Sequence, residues 1–254
     1  MIAVAYCVVI VFLGMIGYLV KFMVQDSQEI INNPANKRQE LLAERIVRGD
    51  IVSSDGRVLA TTETDQKGNE TRVYPYKNVF CHVVGRVWNS KTGIELEQSF
   101  PLLTSHVNPL KQLSNQLQGQ KNQGDIVVTT LNAKLQQIAY DALGNQRGAV
   151  VAIEPSTGKI LAMVSKPDYD PNTVRSEWDS LVADEGGNSA LLNRATQGLY
   201  PPGSTFKILT AMEYMRENPS FDKYRYECSG SDTFGGNVIR CYNCLLYTSP
   251  SPRD

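Results

Sequence analysis

The sequence is poor in the residues from which metal sites are most often built. It has two histidines and five cysteines among 254 residues, which leaves little room for a His-rich metal centre. It also lacks an excess of either charge, because 25 Lys and Arg residues oppose 26 Asp and Glu residues. Nucleic-acid binding usually needs a concentrated basic surface, so the balanced charge argues against that function. A hydrophobic content of 42% excludes a wholly disordered chain, and the length suits one large domain or two modest ones.

Charge is absent from the start of the chain. Met1–Val20 contains no charged residue, and the apolar run resumes after Lys21. About 20 helical residues cross a hydrocarbon core of ~30 Å. The sequence therefore predicts a transmembrane anchor in residues 1–24, with residues 2–24 in contact with membrane lipid. The alternative, a cleaved signal peptide, would show a basic start, a shorter apolar core and a small-residue cleavage site. We expect a single-pass protein of the cytoplasmic membrane with most of its chain extracytoplasmic.

The last eleven residues, 244–254, read CLLYTSPSPRD. This string resembles the translation of a common transposase-tagging sequencing adaptor, and we interpret it as a read-through artefact. The biological sequence is then expected to stop near Asn243 in these data, and the natural protein to continue. Without Cys244, the zinc-like or redox-like spacing Cys241-x-x-Cys244 disappears.

Cys228 and Cys241 remain as a candidate pair around two turn-like, Gly-containing stretches. A disulfide across a hairpin is allowed there if the region is outside the cell. Two reduced, half-buried thiols are the alternative, and the sequence leaves both open.

Two extracytoplasmic parts are predicted, and the polar stretch Gly119–Gly124 reads as the linker between them. The first part, residues 25–123, is irregular. Its clearest feature is a hairpin signal in Gly49–Thr62, where two short apolar runs flank Ser-Asp-Gly. Lys67–Asn69 marks a further turn, and Val79–Val87 is apolar and β-branched enough to predict a strand.

The second part, residues 124–243, predicts an α+β domain. Apolar residues at helical spacing predict a helix over Leu131–Leu143. Two apolar runs, Ala149–Ile153 and Ile160–Ser165, predict a hairpin around a Pro-Ser-Thr-Gly turn. A second helix is expected from Ser204 to Asn218, with its apolar side buried.

The candidate chemistry rests on one Ser-x-x-Lys. Ser204 and Lys207 are one helical turn apart, so both side chains lie on one face. A serine hydroxyl needs a nearby base to become a nucleophile, and a lysine can be that base if burial lowers its pKa. The N–H groups of the helix start would stabilise a developing oxyanion, and Gly203 would let a substrate approach the backbone closely.

Three Ser-x-x-Lys matches occur in the chain, where about one is expected by chance, so the motif alone is a weak signal. Ser156 and Lys159 lie in the predicted hairpin turn, and Ser220 follows a proline. Only Ser204 stands at a helix start behind a Pro-Pro-Gly break. An ordinary serine cap of a solvated helix is the alternative interpretation.

The stretch PPGSTFKILTA, residues 201–211, resembles the active-site helix of penicillin-binding proteins. RGDIVSSDGRVLATT, residues 48–62, resembles the signature of class B members that opens their non-catalytic pedestal. Residues 131–143 and 148–172 resemble the start of the transpeptidase domain. No glycosyltransferase domain precedes the pedestal signature, which favours class B over bifunctional class A.

The resemblance implies a fold and a reaction. The fold would be an anchor helix, a small mostly-β pedestal (25–123), and the N-terminal part of a transpeptidase domain (124–243) like that of serine β-lactamases. Ser204 would attack the D-Ala-D-Ala bond of a peptidoglycan stem peptide, with Lys207 as general base or proton relay. Gly203 and Thr205 would bind substrate, and β-lactam antibiotics would acylate the serine. No cofactor is implied, and cell-wall synthesis proteins are implied as partners, in division or in elongation.

The sequence also departs from the family pattern. No Ser-x-Asn occurs, and the one Lys-Thr-Gly, at 91–93, precedes the serine, so it cannot be the catalytic one by order. The chain as given is therefore expected to be inactive in cross-linking. A non-catalytic membrane-anchored scaffold of the same architecture and a β-lactam sensor or β-lactamase remain as alternatives.

Other candidate residues favour structural roles. His82 and His106 belong to no recognisable constellation and are expected at the surface or in turns. Trp88 and Trp178 are expected to pack. Asp168 and its neighbours in DYDPN are expected to form a structural loop and not a metal site, and none of these residues is predicted to bind metal.

Overall fold

The computed structural model describes residues 2–26, 38–184, 186–225 and 229–240. The chain divides into two units between Leu199 and Tyr200.

An N-terminal helix, α1, spans Ile2–Lys21 and continues as a π-helical turn over Phe22–Asp26. Residues Val4–Gln25 have a mean hydropathy of 2.4 and are long and apolar enough to cross a membrane. None of that stretch is buried in the protein. The predicted helix is therefore confirmed as a helix, and its exposed apolar surface is compatible with a membrane span.

A four-stranded sheet follows along the chain. Strand β2 (Ile51–Val52) pairs antiparallel with β3 (Val58–Thr64), which confirms the predicted hairpin. Strand β3 turns into β4 (Glu70–Val73), and β6 (Val127–Val128) runs parallel to β2. The turn before β4 is held by Asp65, whose carboxylate accepts from the N–H groups of Lys67 and Asn69.

A separate short pair joins β1 (Ile46–Val47) to β5 (Asn122–Gln123) in parallel. Residues 122–123 of the predicted linker are thus a strand. The polar composition of that stretch does not indicate a strand, because a two-residue parallel bridge is held by backbone hydrogen bonds and needs no apolar side chains.

One buried apolar core lies under this sheet. It includes Ile51 and Leu59 from the hairpin and Leu131 and Ala133 from the chain beyond β6. Residues on both sides of the predicted boundary at 124 therefore share one core. The boundary itself stays a prediction.

The predicted strand over Val79–Val87 is wrong. A 3₁₀ turn, Lys77–Phe80, leads into a one-turn helix, Cys81–Val84, which ends at Gly85 with φ of +88°. Cys81 and Val84 are both buried, and a spacing of three residues places them on one helical face. Tertiary packing overrides the β-branched composition here.

The predictions for Leu131–Leu143 and for the following hairpin are confirmed. A helix spans Ala133–Leu143, with Asn132 as its N-cap, and ends at Gly144 with φ of +53°. Strands β7 (Gly148–Ile153) and β8 (Ile160–Lys166) pair antiparallel. The remaining helices of this unit are Arg38–Ala43, Gly93–Glu97, Ser99–Leu102, Pro109–Leu117, Val174–Ala183 and Arg194–Gln197.

The described residues of the second unit form a 3₁₀ turn (Gly203–Thr205), an α-helix (Phe206–Glu217), a second 3₁₀ turn and a hairpin. The hairpin strands are β9 (Ser231–Phe234) and β10 (Asn237–Arg240). The predicted helix is confirmed to within a residue or two.

The predicted burial of that helix is wrong. Every residue of Phe206–Glu217 is exposed, and Leu209 has 56% of its surface in solvent. One helix and a two-stranded hairpin cannot build a closed core, so the described part of this unit leaves the apolar side uncovered.

Candidate active site

The start of the helix is shaped by its sequence. Pro201 and Pro202 precede Gly203, which adopts φ of +53°, a conformation that costs glycine little and other residues more. Thr205 then donates its N–H to the carbonyl of Pro202 at 3.2 Å and its hydroxyl to the same oxygen. The break therefore ends in a tight turn that feeds directly into the α-helix.

Ser204 lies in this 3₁₀ turn and Lys207 in the first turn of the α-helix. Residues three apart eclipse each other in 3₁₀ geometry, so both side chains lie on the same side of the helix start. Gly203 and Thr205 flank the serine. All four predicted site residues are thus brought together at one helix N-terminus.

These side chains are exposed, and among the described residues neither Ser204 nor Lys207 forms a side-chain hydrogen bond or ion pair. A serine at a helix start next to a lysine has the parts of a nucleophile and base. The burial that a lysine base requires is not supplied by the described part of the chain.

The role predicted for Gly203 can be refined. A Cβ built on Gly203 would meet no heavy atom within 4 Å, so the protein itself leaves room for a side chain there. Within the described fold, glycine is favoured at position 203 because of its positive φ and not because of a lack of space.

The candidate disulfide lies outside the described residues at both ends, Cys228 and Cys241. The hairpin between them is present, and Ser231 pairs with Arg240 in its register. The segment 244–254, interpreted as an adaptor artefact, also lies outside the described residues.

The DYDPN loop has a structural role. Asn172 donates to the carbonyl of Tyr74 at 3.0 Å and accepts from the N–H of Tyr74 at 2.9 Å. Asp168 accepts from the side chain of Asn78 at 2.8 Å. The carboxylate of Asp170 accepts from the N–H of Asn172 at 2.8 Å. The loop thereby ties the end of the β7–β8 hairpin to the segment after β4.

The two histidines have different surroundings. His82 is buried, its Nε2 lies 3.3 Å from the carbonyl oxygen of Pro167, and burial lowers its pKa. The surface position predicted for it is wrong, because the one-turn helix directs it inward. His106 is exposed as predicted, with its Nδ1 2.5 Å from Asp125. Trp88 and Trp178 pack edge to face with ring centroids 5.5 Å apart, as predicted.

Sequence reasoning missed a buried ionic cluster in the first unit. Glu95 is fully buried between Arg48, whose Nε lies 2.6 Å from Oε2, and Arg72, whose Nε lies 2.7 Å from Oε1. The hydroxyl of Tyr74 lies 3.3 Å from the same carboxylate. The pKa of Tyr74 is raised mainly by burial and further by the negative charge of Glu95. No local pattern marks these residues, because the partners are 23 and 47 residues apart.

A second buried polar contact was also missed. Gln136 is fully buried in the helix Ala133–Leu143. Its amide donates to the carbonyls of Val79 and Met163 and accepts from the N–H of Met163, all at 2.8 Å. A lone glutamine on a helix face gives no sequence signal for this bridge.

Comparison with known proteins agrees with the helix-start motif. Residues 148–245 match the family described as the penicillin binding protein transpeptidase domain. The peptidoglycan D,D-transpeptidase PbpA of Mycolicibacterium smegmatis is 38% identical over 194 residues, which cover 70% of this chain and 39% of the relative.

Solved structures show the same fold. Penicillin-binding protein A from M. tuberculosis, as its penicillin G acyl-enzyme complex, matches with a TM-score of 0.64 and 33% identity, over 77% of this chain and 48% of that chain. The complex between penicillin-binding protein 2 and MreC from Helicobacter pylori matches with a TM-score of 0.62 at 19% identity, over 77% of this chain and 56% of that chain. At that identity the second match speaks for the fold alone.

The chain spans 39% of the length of the PbpA relative and about half of the matched chains of known structure. The residues matched to the transpeptidase domain include Ser204 and Lys207, and they begin at strand β7 of the first unit. The chain is similar to named peptidoglycan D,D-transpeptidases and to penicillin-binding proteins of known structure.

Proposed function

We propose that the whole protein is a membrane-anchored D,D-transpeptidase that cross-links peptidoglycan stem peptides. The observation that carries this proposal is the helix start, where Ser204 and Lys207 share one side inside the matched transpeptidase region. Relatives named D,D-transpeptidases and a solved acyl-enzyme with penicillin G support it.

The reaction follows from the chemistry of a serine nucleophile. Ser204 Oγ attacks the carbonyl between the two terminal D-Ala residues of a stem peptide, and Lys207 accepts the hydroxyl proton directly or by relay. The bond to the last D-Ala breaks, and that residue leaves with a proton on its amine. An amine of a neighbouring stem then attacks the ester, forms the new amide and frees the serine.

The backbone at the helix start assists this chemistry in our proposal. The backbone N–H of Ser204 is the proposed donor for the oxyanion, because the N–H groups of Thr205 and Phe206 already donate to carbonyls of the turn. Gly203 and Thr205 are proposed to contact the substrate. β-Lactams would acylate Ser204 by the same attack and remain bound.

The proposal includes the organisation of the chain. Residues 1–24 are the anchor in membrane lipid, 25–123 the pedestal, and 124–243 the beginning of the transpeptidase domain. No Ser-x-Asn and no Lys-Thr-Gly follows Ser204 in this sequence, so residues 25–243 alone are not expected to cross-link. Cell-wall synthesis proteins are the proposed partners, as the resemblance to class B penicillin-binding proteins implies.

A non-catalytic scaffold is the second candidate function. Loss of Ser-x-Asn and Lys-Thr-Gly from the part of the full reading frame that follows Ser204 would favour it, because the proton relay would then be incomplete. The two functions differ in whether the serine reacts with penicillin.

The first experiment reads the source DNA through the codon for Asn243. A reading frame that continues into Ser-x-Asn and Lys-Thr-Gly supports a complete transpeptidase. A genome that encodes CLLYTSPSPRD followed by a stop codon contradicts the artefact interpretation and favours the scaffold.

The second experiment labels the full reading frame, purified in detergent, with a fluorescent penicillin and maps the labelled peptide. We expect the label on Ser204 and its loss in Ser204→Ala. Ser156→Ala and Ser220→Ala are matched controls, because each removes the serine of another Ser-x-x-Lys, and both should keep the label. Label on another serine, or persistence in Ser204→Ala, would overturn the assignment.

A further inference from the structure

The helix Pro109–Leu117 of the first unit, the leucine helix, carries its apolar residues on the outside. Leu110, Leu113 and Leu117 are 77%, 55% and 81% exposed. An α-helix turns by about 100° per residue, so the three side chains fall within an arc of about 60° and form one stripe. The proposed transpeptidase chemistry uses none of these residues.

The opposite side of the leucine helix is polar and packs on the protein. The amide of Gln112 donates to the carbonyl of Val107 at 2.9 Å and to the carbonyl of Ser105 at 3.4 Å. The amide of Asn115 donates to Oδ1 of Asn122 at 2.9 Å. A helix on the surface of a globular protein normally turns its apolar side inward. The leucine helix has the reverse orientation, and its polar contacts hold the leucine stripe outward.

The leucine helix lies close to the part of the chain that follows the proposed membrane anchor. Nζ of Lys121, four residues beyond the helix, donates to the carbonyl of Ala43 at 2.9 Å. Ala43 ends the helix Arg38–Ala43, the first described element after α1 and its π-helical turn. The intervening residues 27–37 span at most about 40 Å when fully extended. This short connection keeps the leucine helix in the neighbourhood of the membrane surface.

The size of the stripe argues against a second copy of the chain as its occupant. Leucines spaced by three and then four residues are able to pair with the same helix of another chain. Three leucine side chains, however, offer only a few hundred Å², whereas stable protein interfaces bury about 1,200–2,000 Å². A lipid surface needs less contact area, because the anchor already holds the helix at a high effective concentration beside it.

The charges around the stripe also favour lipid. Residues 105–124 contain no carboxylate, and Lys111 is the only charged residue of the leucine helix. The charge of Lys121 is offset by Glu70, 2.7 Å away, so Lys111 carries the attraction to an anionic headgroup. The leucines are therefore able to enter the boundary between headgroups and acyl chains without taking a carboxylate with them.

We propose that the leucine helix binds the surface of the membrane that holds the anchor, with its three leucines among the headgroups and upper acyl chains of anionic phospholipid. This contact fixes the orientation of the first unit relative to the bilayer. The inference rests on the proposed anchor, residues 1–24, and is independent of the chemistry proposed for Ser204.

Photocrosslinking of the full chain, reconstituted in vesicles of equimolar phosphatidylcholine and phosphatidylglycerol, tests the proposal. Benzoylphenylalanine replaces Leu113 in one variant. In the matched control it replaces Ile138, which is 54% exposed on the helix Ala133–Leu143. A third variant carries it in place of Phe12 in α1. Mass spectrometry should find lipid adducts at positions 113 and 12, and at least about tenfold fewer at position 138.

The variant at position 12 separates failure of the docking from failure of the anchor. Adducts at position 12 without adducts at 113 would overturn the docking and leave the anchor intact. Absence of adducts at position 12 would overturn the anchor and, with it, the docking. A crosslink from position 113 to a second copy of the chain would assign the stripe to a dimer and overturn the lipid proposal.

Substitutions in the leucine helix test the stripe itself. Leu110→Gln combined with Leu117→Gln should lower the adduct yield at position 113 by at least about tenfold, while the unfolding midpoint stays unchanged because both side chains are exposed. Lys111→Gln should lower the yield about twofold to fivefold in the mixed vesicles and leave it unchanged in pure phosphatidylcholine. Lys159→Gln, at the exposed turn of the β7–β8 hairpin, is the control and should change neither. An unchanged yield in the double leucine variant would overturn the proposal.

Discussion

The first unit and the start of the second unit differ in the exposure of their most informative residues. In the first unit, Glu95 is fully buried and paired with two arginines, and Leu59 is 1% exposed in the core beneath the sheet. In the second, Ser204 and the whole helix Phe206–Glu217 are exposed. The residues that hold the described fold together are thus not the residues that carry its candidate chemistry.

This difference teaches where each kind of sequence signal comes from. A nucleophile next to a base is a local pattern, so Ser204 and Lys207 are visible in four consecutive letters. The buried contacts of Glu95 join residues that are far apart in sequence, so they become visible only in three dimensions.

The largest expected effect tests the buried side of this comparison. Glu95→Gln removes the carboxylate charge and leaves Arg48 and Arg72 unpaired in the core, which should cost about 3–5 kcal/mol of unfolding free energy. Urea unfolding of the full chain in detergent, followed by tryptophan fluorescence, measures this loss. Trp88 and Trp178 are the two tryptophans of the chain and both lie in the first unit, so the signal reports on that unit.

Glu177→Gln is the matched control, because Glu177 is exposed on the helix Val174–Ala183 of the same unit. It should change the unfolding free energy by no more than about 0.5 kcal/mol. Equal losses for the two variants would show that Glu95 contributes no more than a surface carboxylate.

The same substitution in both regions sharpens the comparison. Leu59→Ala empties a buried site in β3 and should cost about 2–5 kcal/mol. Leu209→Ala shortens an exposed side chain and should cost no more than about 0.5 kcal/mol. Urea unfolding followed by tryptophan fluorescence for the first variant and by far-UV circular dichroism for the second tests the pair. A large loss in Leu209→Ala would mean that this helix is packed in solution.

An intermediate effect is expected at the buried amide. Gln136→Ala leaves the backbone groups of Met163 and the carbonyl of Val79 without their side-chain partner, which should cost about 1–3 kcal/mol. Gln137→Ala, which removes a contact with Asp141 on the outer side of the same helix, serves as control and should stay near wild type. A smaller loss in the first variant than in the second would contradict the bridging role. Both are measured by urea unfolding.

The smallest effect is a pH dependence. Burial lowers the pKa of His82 in the folded state below its ordinary value of 6.5. As the pH falls below about 6.5, the unfolded chain binds a proton that the folded chain rejects, so stability falls with decreasing pH. His82→Gln should flatten this slope of unfolding free energy against pH, and the exposed His106→Gln should retain it. An unchanged slope in His82→Gln would rule out His82 as its source.

Much of the fold was predictable where local signals agree. The hairpins around Ser-Asp-Gly and Pro-Ser-Thr-Gly follow from turn residues between apolar runs, and the helix from 206 follows from a Pro-Pro-Gly break and an apolar repeat. The same signals placed Ser204 and Lys207 together at the helix start.

The failures have physical reasons. Val79–Val87 has strand composition, but the burial of Cys81 and Val84 on one helical face decides its conformation. The apolar side of Phe206–Glu217 predicted burial, yet periodicity says only that a face is apolar and not what covers it. The burial of Glu95 was missed because the sequence shows that the residue is charged but not which distant residues surround it.

The contact between Asn172 and Tyr74 also bears on how the protein is made. The two residues are 98 positions apart, and the amide of Asn172 satisfies both backbone groups of Tyr74. A ribosome that adds about 5–20 residues per second needs about 5–20 s to travel that distance. During this interval the segment after β4 has been synthesised but lacks its partner. The first unit therefore completes its fold only after the DYDPN loop has emerged from the ribosome. Until then, the backbone groups of Tyr74 remain open to other hydrogen-bond partners.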